Sequence, residues 1–290
     1  MLGDVHPRPR PMICLPARLR PSKLVAVVVP LSNRPELTSD EQISLRHLQC
    51  YLGTYDKYML APNSLKVAHP GFTIKRFDDS FFGSAAANNR LMLTPRLYAT
   101  FSNYKYILIY QLDALVFSDQ LVEWCNMDLD YIGAPWLPCP DTPYVTVPRV
   151  GNGGFSLRKI LGFQRVIRSR EYWVEPSQYW ADFCRGKSWY VRYTNLPRKL
   201  LKRLPRFNGA KQEMAHWHFR KSRRNEDYFW SDEAVRYYPE FRIPSVEVAL
   251  QFAFEVAPRH CFELNGKRLP FGCHAWARYD RAFWEPYLLR

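Results

Sequence analysis

The chain has 290 residues, 47% hydrophobic and 16% aromatic, which is enough to bury a large core and too apolar for a disordered chain. Its formal net charge of +14 favours anionic partners such as nucleotides, anionic glycans or acidic lipid headgroups. Seven cysteines at scattered positions, with no CxxC pair, argue against a secreted disulfide framework and structural zinc, and point to reduced thiols in a cytoplasm.

Residues 1–22 carry Arg8, Arg10, Arg18 and Arg20 among closely spaced prolines and lack the apolar core of a signal peptide, so a disordered basic arm is expected there. No apolar run in the chain approaches the roughly 18–20 residues of a membrane span. The β-branched run Lys23–Leu31 predicts a first, central strand that ends in the polar group Ser32, Asn33 and Arg34. Ser39 with Gln42 has the spacing of a capping box, and Ile43, Leu45, Leu48 and Leu52 then suit an amphipathic helix that Gly53 stops. Strands are expected at Lys57–Ala61 and Phe72–Phe77, giving the strand–helix–strand order of βαβ winding. The stretch Ser84–Phe101, which includes Asn88, Asn89 and Arg90, is expected to be helical with a break near Pro95.

The stretch Tyr104–Phe117, YKYILIYQLDALVF, begins as a strand apolar on both faces, as in sheets covered on both sides. Asp113 follows it, at the carboxyl end where open α/β sheets place ligands; equally, Asp113 could simply cap the next turn. A short helix from Asp119, a strand at Asp130–Ala134, a proline-rich loop, the glycine-rich segment RVGNGGFSL (Arg149–Leu157) and a helix from Arg158 are expected next. Residues 170–224 are basic and rich in Trp and Tyr, and read as an insertion within a single domain spanning 23–290. They suit either capture of an anionic or lipid-linked molecule or a solvated surface around a few buried rings. Helices are expected at Asn225–Tyr237, with Glu226 and Asp227 in its first turn, and at Ser245–Val256, before the loop PFGCHAW that carries His274.

Taken in order, VVVPLSNRP, Asn88–Asn89–Arg90, YILIYQLDALVF, GNGGFSLR, NED and PFGCHAW resemble the landmarks of GT-A-type glycosyltransferases, whose Rossmann-like, mainly parallel sheet is flanked by helices. As a set, YQLDALVF, DYIGAPW, GNGGFSLR, NEDYFWS and PFGCHAW are similar to an uncharacterised bacterial family found near polysaccharide genes. The resemblance implies transfer of a sugar from a nucleotide-diphosphate donor to a hydroxyl of a glycan or lipid-linked acceptor. It implies that Ser32, Asn33, Arg34, Asn89, Gly153 and Gly154 hold the donor. Asp113 with His274 would then hold Mn²⁺ or Mg²⁺ at the diphosphate, and Asp227 or Glu226 would be the base, with Asp227 preferred. Inversion is the natural outcome of a positioned base.

One departure stands out. Asp113 has Gln111 two residues before it and Leu115 two after, so the paired acids of the Asp-x-Asp motif are absent. A metal-independent enzyme using Lys and Arg at the diphosphate is the alternative, as is a protein that binds nucleotide or glycan without turnover. A nucleic-acid-binding protein would explain the charge, but no nucleic-acid motif is present and none is expected as a partner. The expected location is the cytoplasm, with peripheral contact at an anionic membrane face.

Overall fold

The computed structural model describes residues 21–143, 145–217 and 225–289. The expected basic arm falls almost wholly outside the described residues, as does the end of the expected insertion. The frame is a six-stranded sheet in which β1 (Lys23–Pro30), β2 (Asp56–Pro62), β3 (Thr73–Phe77) and β4 (Tyr104–Tyr110) run parallel. The spatial order is β3, β2, β1, β4, and beyond β4 lie two more strands, the first antiparallel to β4 and the second antiparallel to the first. The sheet is therefore mixed and mainly parallel, with helices on both faces, as the order of elements suggests.

Alternation along β1 and β4 explains why both faces are covered. Val25, Val27, Val29, Tyr106, Leu108 and Tyr110 face one core, with Leu48 and Leu52 of α1 (Ser39–Leu52) and Leu121 of the later helix Leu121–Asn126. Ala26, Val28, Ile107 and Ile109 face the other. That second core takes Leu91 of α2 (Ala85–Leu93), Leu97 and Tyr98 of α3 (Pro95–Thr100) and Trp230. Period-two side chains that are apolar in both phases require two apolar layers.

Several expectations need correction. The capping box belongs to Thr38 and Glu41, one residue earlier than Ser39 and Gln42, because Thr38 has the extended backbone of a cap while Ser39 is already helical. Beyond the expected strand, the stretch 104–117 turns and then changes sheet. It is β4, a turn at Gln111–Ala114, and β5 (Leu115–Val116), which belongs to a separate three-stranded sheet. With the helix Leu121–Asn126 as α4, the next strands are β6 (Tyr131–Gly133), β7 (Pro135–Trp136) and β8 (Arg149–Val150). The residues FSLRK after the glycines form β9 (Phe155–Lys159), antiparallel between β4 and β6, so the following helix, α5 (Ile160–Ile167), starts two residues later than expected.

Helical segments at Glu226–Tyr228, Phe229–Glu233 and Ala234–Tyr237 follow one another, the middle one with π geometry, a local widening that recurs at functional sites. The helix Val246–Phe252 stops earlier than expected and passes into β10 (Ala253–Phe254), and PFGCHAW contains β11 (Gly272–Cys273). Between α5 and residue 217 the insertion folds into short helices, and the last of these, Ala210–His216, seats Ala210 and Met214 in the core.

Leu108 lies at the centre of β4 and is fully buried. Leu108→Ala should cost about 2–5 kcal/mol, read as a lowered urea midpoint with an unchanged slope.

Candidate active site

At the carboxyl ends of β1 and β4 the surface opens into a cleft of about 730 Å³. All ten residues expected from the sequence line it: Ser32, Asn33, Arg34, Asn89, Asp113, Gly153, Gly154, Glu226, Asp227 and His274. They come from six separate segments of the chain, and the folding of each segment accounts for its place.

The small sheet β10–β11–β5 sets one wall. β11 pairs with β5 antiparallel (Cys273 opposite Leu115) and with β10 in parallel (Cys273 opposite Phe254). Asp113 precedes β5, His274 follows β11 and Glu255 follows β10, so three short strands bring three titratable groups to one end. The His274 N–H donates to Phe254 O at 2.9 Å and the Trp276 N–H to Asp113 O at 3.1 Å, which locks the register. His274 Nδ1 lies 2.8 Å from Glu255 Oε1, and Nε2 lies 3.2 Å from both Asp113 Oδ1 and Gln111 Oε1. Burial works against charging this imidazole, but Asp113 and Glu255 outweigh it and hold its pKa well above the usual value. Burial would raise the Asp113 carboxyl, yet the charge and hydrogen bond of His274 pull it below its ordinary range.

The glycine-rich loop sets the floor. Asn152 has φ of +71°, and its Oδ1 accepts the N–H groups of Gly154 at 2.9 Å and Phe155 at 3.0 Å, which folds the loop back on itself. Gly153 and Gly154 are required by what packs on them. A Cβ at Gly153 would sit 2.1 Å from Glu226 Oε1, and one at Gly154 would sit 1.9 Å from His274 Nε2. Two neighbouring glycines therefore let the acid and the imidazole close in on the same backbone.

Opposite lies the start of the segment 225–228. Glu226 is 2% exposed and paired with Arg158 of β9, itself fully buried, at 2.8 Å. Arg158 also donates to Ser156 Oγ at 3.0 Å, Tyr98 OH at 3.0 Å and Gly153 O at 3.2 Å. Glu226 is thus committed to a guanidinium, whereas Asp227 forms no ion pair among the described residues. The Asp227 Oδ1 accepts only the Tyr228 N–H at 2.9 Å among the described residues. Burial first, then the charges of Glu226 and Glu255, push the Asp227 carboxyl up to about 8. A buried acid with its pKa near neutrality is suited to taking and returning a proton.

Two of the expected donor-side residues are engaged within the protein. Arg34 pairs with Glu41 at 2.7 Å, and Asn89 donates to Asn225 Oδ1 at 3.0 Å and accepts the Glu226 N–H at 3.4 Å. Asn89 therefore holds the start of the acid-bearing segment. Sequence reading overlooked Gln111, Asn152, Arg158 and Glu255. Gln111 was legible only as an absent acid, and an Arg inside a β-strand or a Glu after a helix carries no local signal of a site.

A divalent cation can be tested against the donors present. No group of three His, Cys, Asp or Glu side chains among the described residues is arranged as a metal site. The third convergent donor is instead the amide oxygen of Gln111, which shares His274 Nε2 with Asp113. Glu255 on Nδ1 is the carboxylate partner that fixes a ligating histidine's tautomer and leaves Nε2 to ligate. Two oxygens and one imidazole nitrogen fit Mn²⁺ or Mg²⁺ with diphosphate and water filling the other positions.

A mainly parallel α/β sheet with an acid, an imidazole and a glycine-rich loop at its carboxyl end defines a ligand-binding α/β domain of the open-sheet class. The chain belongs to the family described as Protein of unknown function (DUF5672), which matches residues 71–274. No curated protein matches the chain. Among solved structures it is similar to the apo form of the glycosyltransferase GlyE of Streptococcus pneumoniae TIGR4, with 12% identity and a TM-score of 0.41 over 91% of this chain. The chain spans 60% of the length of GlyE. It is also similar to the galactosyltransferase LgtC in complex with donor and acceptor sugar analogs, with 9% identity and a TM-score of 0.39 over 86% of each chain.

In the unfolded chain Asp227 ionises near its ordinary 3.8, whereas in the folded protein it keeps its proton up to about pH 8. Between those values the unfolded state has lost a proton that the folded state retains, so the cost of this residue to stability grows as pH rises and is constant above. Asp227→Asn should therefore raise Tm by several degrees at pH 8 and by little at pH 4, measured by calorimetry at both. Glu226→Gln should do the opposite at neutral pH, lowering stability by about 3–5 kcal/mol because Arg158 is left buried with its partner charge removed.

Proposed function

We propose that this protein is a glycosyltransferase that moves a sugar from a nucleotide-diphosphate donor to a hydroxyl of a glycan or lipid-linked acceptor, with inversion, in bacterial cell-surface polysaccharide synthesis. The observation that carries this reading is the pairing, across one cleft, of an acid poised near neutral pH, Asp227, with the Asp113–His274 cluster. The order of the sequence landmarks, which resembles that of GT-A-type enzymes, supports it.

The acceptor hydroxyl lies against Asp227, whose carboxylate takes its proton as the oxygen attacks the anomeric carbon. The bond from that carbon to the donor diphosphate breaks on the opposite face, and the electron pair leaves with the diphosphate. A divalent cation, when held by Asp113, His274 and the amide oxygen of Gln111, supplies Lewis-acid neutralisation of the leaving diphosphate. Ser32 and Asn33 at the end of β1, beside that cluster, meet the nucleotide. The backbone at Gly153 and Gly154 lies close enough for the donor sugar to rest on it, and Arg158 keeps Glu226 from competing as base.

A second reading is favoured by Gln111, which stands where an acid would strengthen the cation site: a protein that binds the nucleotide sugar and does not turn it over. The two readings separate on one comparison. For a transferase, kcat/KM rises with pH to a plateau above about 8, because Asp227 must be ionised to accept a proton. Asp227→Asn then lowers kcat by about 10²–10⁴ with donor affinity nearly unchanged. Turnover that persists unchanged in Asp227→Asn removes this base from the mechanism, and donor binding with no turnover in the unsubstituted protein favours the binder.

A further inference from the structure

Large hydrophobic side chains are exposed at scattered points over most of the described surface, which is ordinary for a folded chain. Residues 189–207 differ. Trp189 (79% exposed), Tyr190, Tyr193 (69%), Leu196, Leu200 (61%) and Leu204 all face solvent within this short span. Their order follows from local structure. The helices Trp189–Thr194 and Leu196–Leu201 abut at Asn195, which ends one and caps the next. Trp189, Tyr193, Leu196 and Leu200 are spaced by four, three and four residues, so they line one side of the consecutive helices.

The charge around this stripe has one sign. Residues 185–211 contain nine Lys or Arg and no Asp or Glu. Arg192, Arg198, Arg203 and Arg206 are exposed, and among the described residues none of them forms an ion pair. Lys199 lies over the Trp180 ring and Arg198 over Phe183, so the cationic stems also cover the helix Pro176–Cys184 beneath. Exposed Trp and Tyr beside Leu, ringed by Lys and Arg, is the composition of a segment that lies in the interface of an anionic bilayer. Among the described residues no helix is long and apolar enough to cross a membrane, so contact at the surface is the mode this segment can support.

We propose that residues 185–211 dock this protein onto a bilayer carrying anionic lipid, with Trp189, Tyr193 and Leu200 entering the headgroup boundary and the arginines meeting phosphate. The location of the segment gives docking a consequence for the cleft. Asn208 Nδ2 donates to Val174 O at 2.7 Å, and the Trp173 N–H donates to Asn208 O at 2.7 Å, which ties the two ends of the insertion together. Beyond them, Trp217 Nε1 donates at 3.0 Å to Asn225 O, the residue before the acid pair. The insertion that carries the docking segment is thereby hydrogen-bonded to the residue that precedes the acid pair. Docking of this kind does not depend on turnover in the cleft, so it stands or falls separately from the transferase reading.

The test is co-sedimentation of the full chain with vesicles of phosphatidylcholine containing about one-third phosphatidylglycerol, beside vesicles of phosphatidylcholine alone. Binding to the anionic vesicles only, weakening as salt is raised, is expected, with a blue shift in tryptophan fluorescence. The double variant Trp189→Ser, Tyr193→Ser and the triple variant Arg192→Gln, Arg203→Gln, Arg206→Gln should each lower the vesicle-bound fraction by about tenfold. Both alter exposed side chains only, and an unchanged Tm checks that they fold. No association with anionic vesicles at low salt overturns the proposal, as does association that both variants retain. Self-association in light scattering that the Trp189→Ser, Tyr193→Ser variant abolishes, without vesicle binding, assigns the surface to a second copy instead. Tighter binding to a nucleic-acid duplex than to the anionic vesicles would likewise contradict it.

Discussion

The buried ion pair between Arg158 and Glu226 is the constraint on which the cleft depends. Arg158 sits on an antiparallel strand inserted beside β4, with no water to solvate it, and must find all of its partners within the protein. It does so by reaching a hydroxyl of α3, a serine of its own strand, a carbonyl of the glycine-rich loop and the carboxylate of Glu226. Three segments remote in sequence, α3, residues 153–158 and the start of the segment 225–228, are thereby fixed around one guanidinium. With Glu226 neutralising that charge, the adjacent Asp227 is left buried beside a carboxylate, which is what lifts its pKa toward neutrality. Adjacent acids in one turn of helix thus receive different environments: one is held in an ion pair, and the other is buried with a raised pKa.

The same economy appears at the opposite wall. Strands of only two residues each would be marginal alone. Here they are anchored by a cluster in which Leu115, Phe254 and Cys273 pack with Trp276 and Trp284, and Phe117 stacks on Trp284 at 5.4 Å between ring centroids. That rigid base presents Asp113, His274 and Glu255 at fixed spacing. Carboxylates on both sides of an imidazole hold a proton in the absence of a cation, and the same Nε2 position suits a cation that displaces it. On the proposed reading a cation would compete with that proton for one place, and Gln111 contributes a neutral oxygen there, so the cluster carries less negative charge than a pair of acids would give it.

Much of this was legible in the sequence, and the reasons are specific. The run Tyr106–Tyr110 is apolar in both phases, which demands a two-sided sheet, and the acids and glycines after each strand marked the end where a cleft would open. What escaped notice depended on tertiary contact. Arg158 and Lys159 read as a helix start, but they end the strand β9, where Arg158 finds its distant partners in Glu226 and Tyr98. Gln111 is uncharged, so nothing in the sequence marks its amide oxygen as a partner of His274. Asn89 looked like a donor contact, yet its amide is used to hold Asn225 and Glu226. The glycines read as a backbone cradle, and the distances that a Cβ would create add a second need for Gly153 and Gly154, the approach of Glu226 and His274.

On the proposed function, this cleft receives a nucleotide diphosphate at the Asp113–His274 cluster. Isothermal titration of nucleoside diphosphate sugars into the full chain, with and without Mn²⁺, tests it most directly. Binding that requires Mn²⁺ or is strengthened by it, and that His274→Ala weakens by about tenfold or more, is the expected result. Absence of heat with every nucleotide sugar, in either condition, would contradict the account.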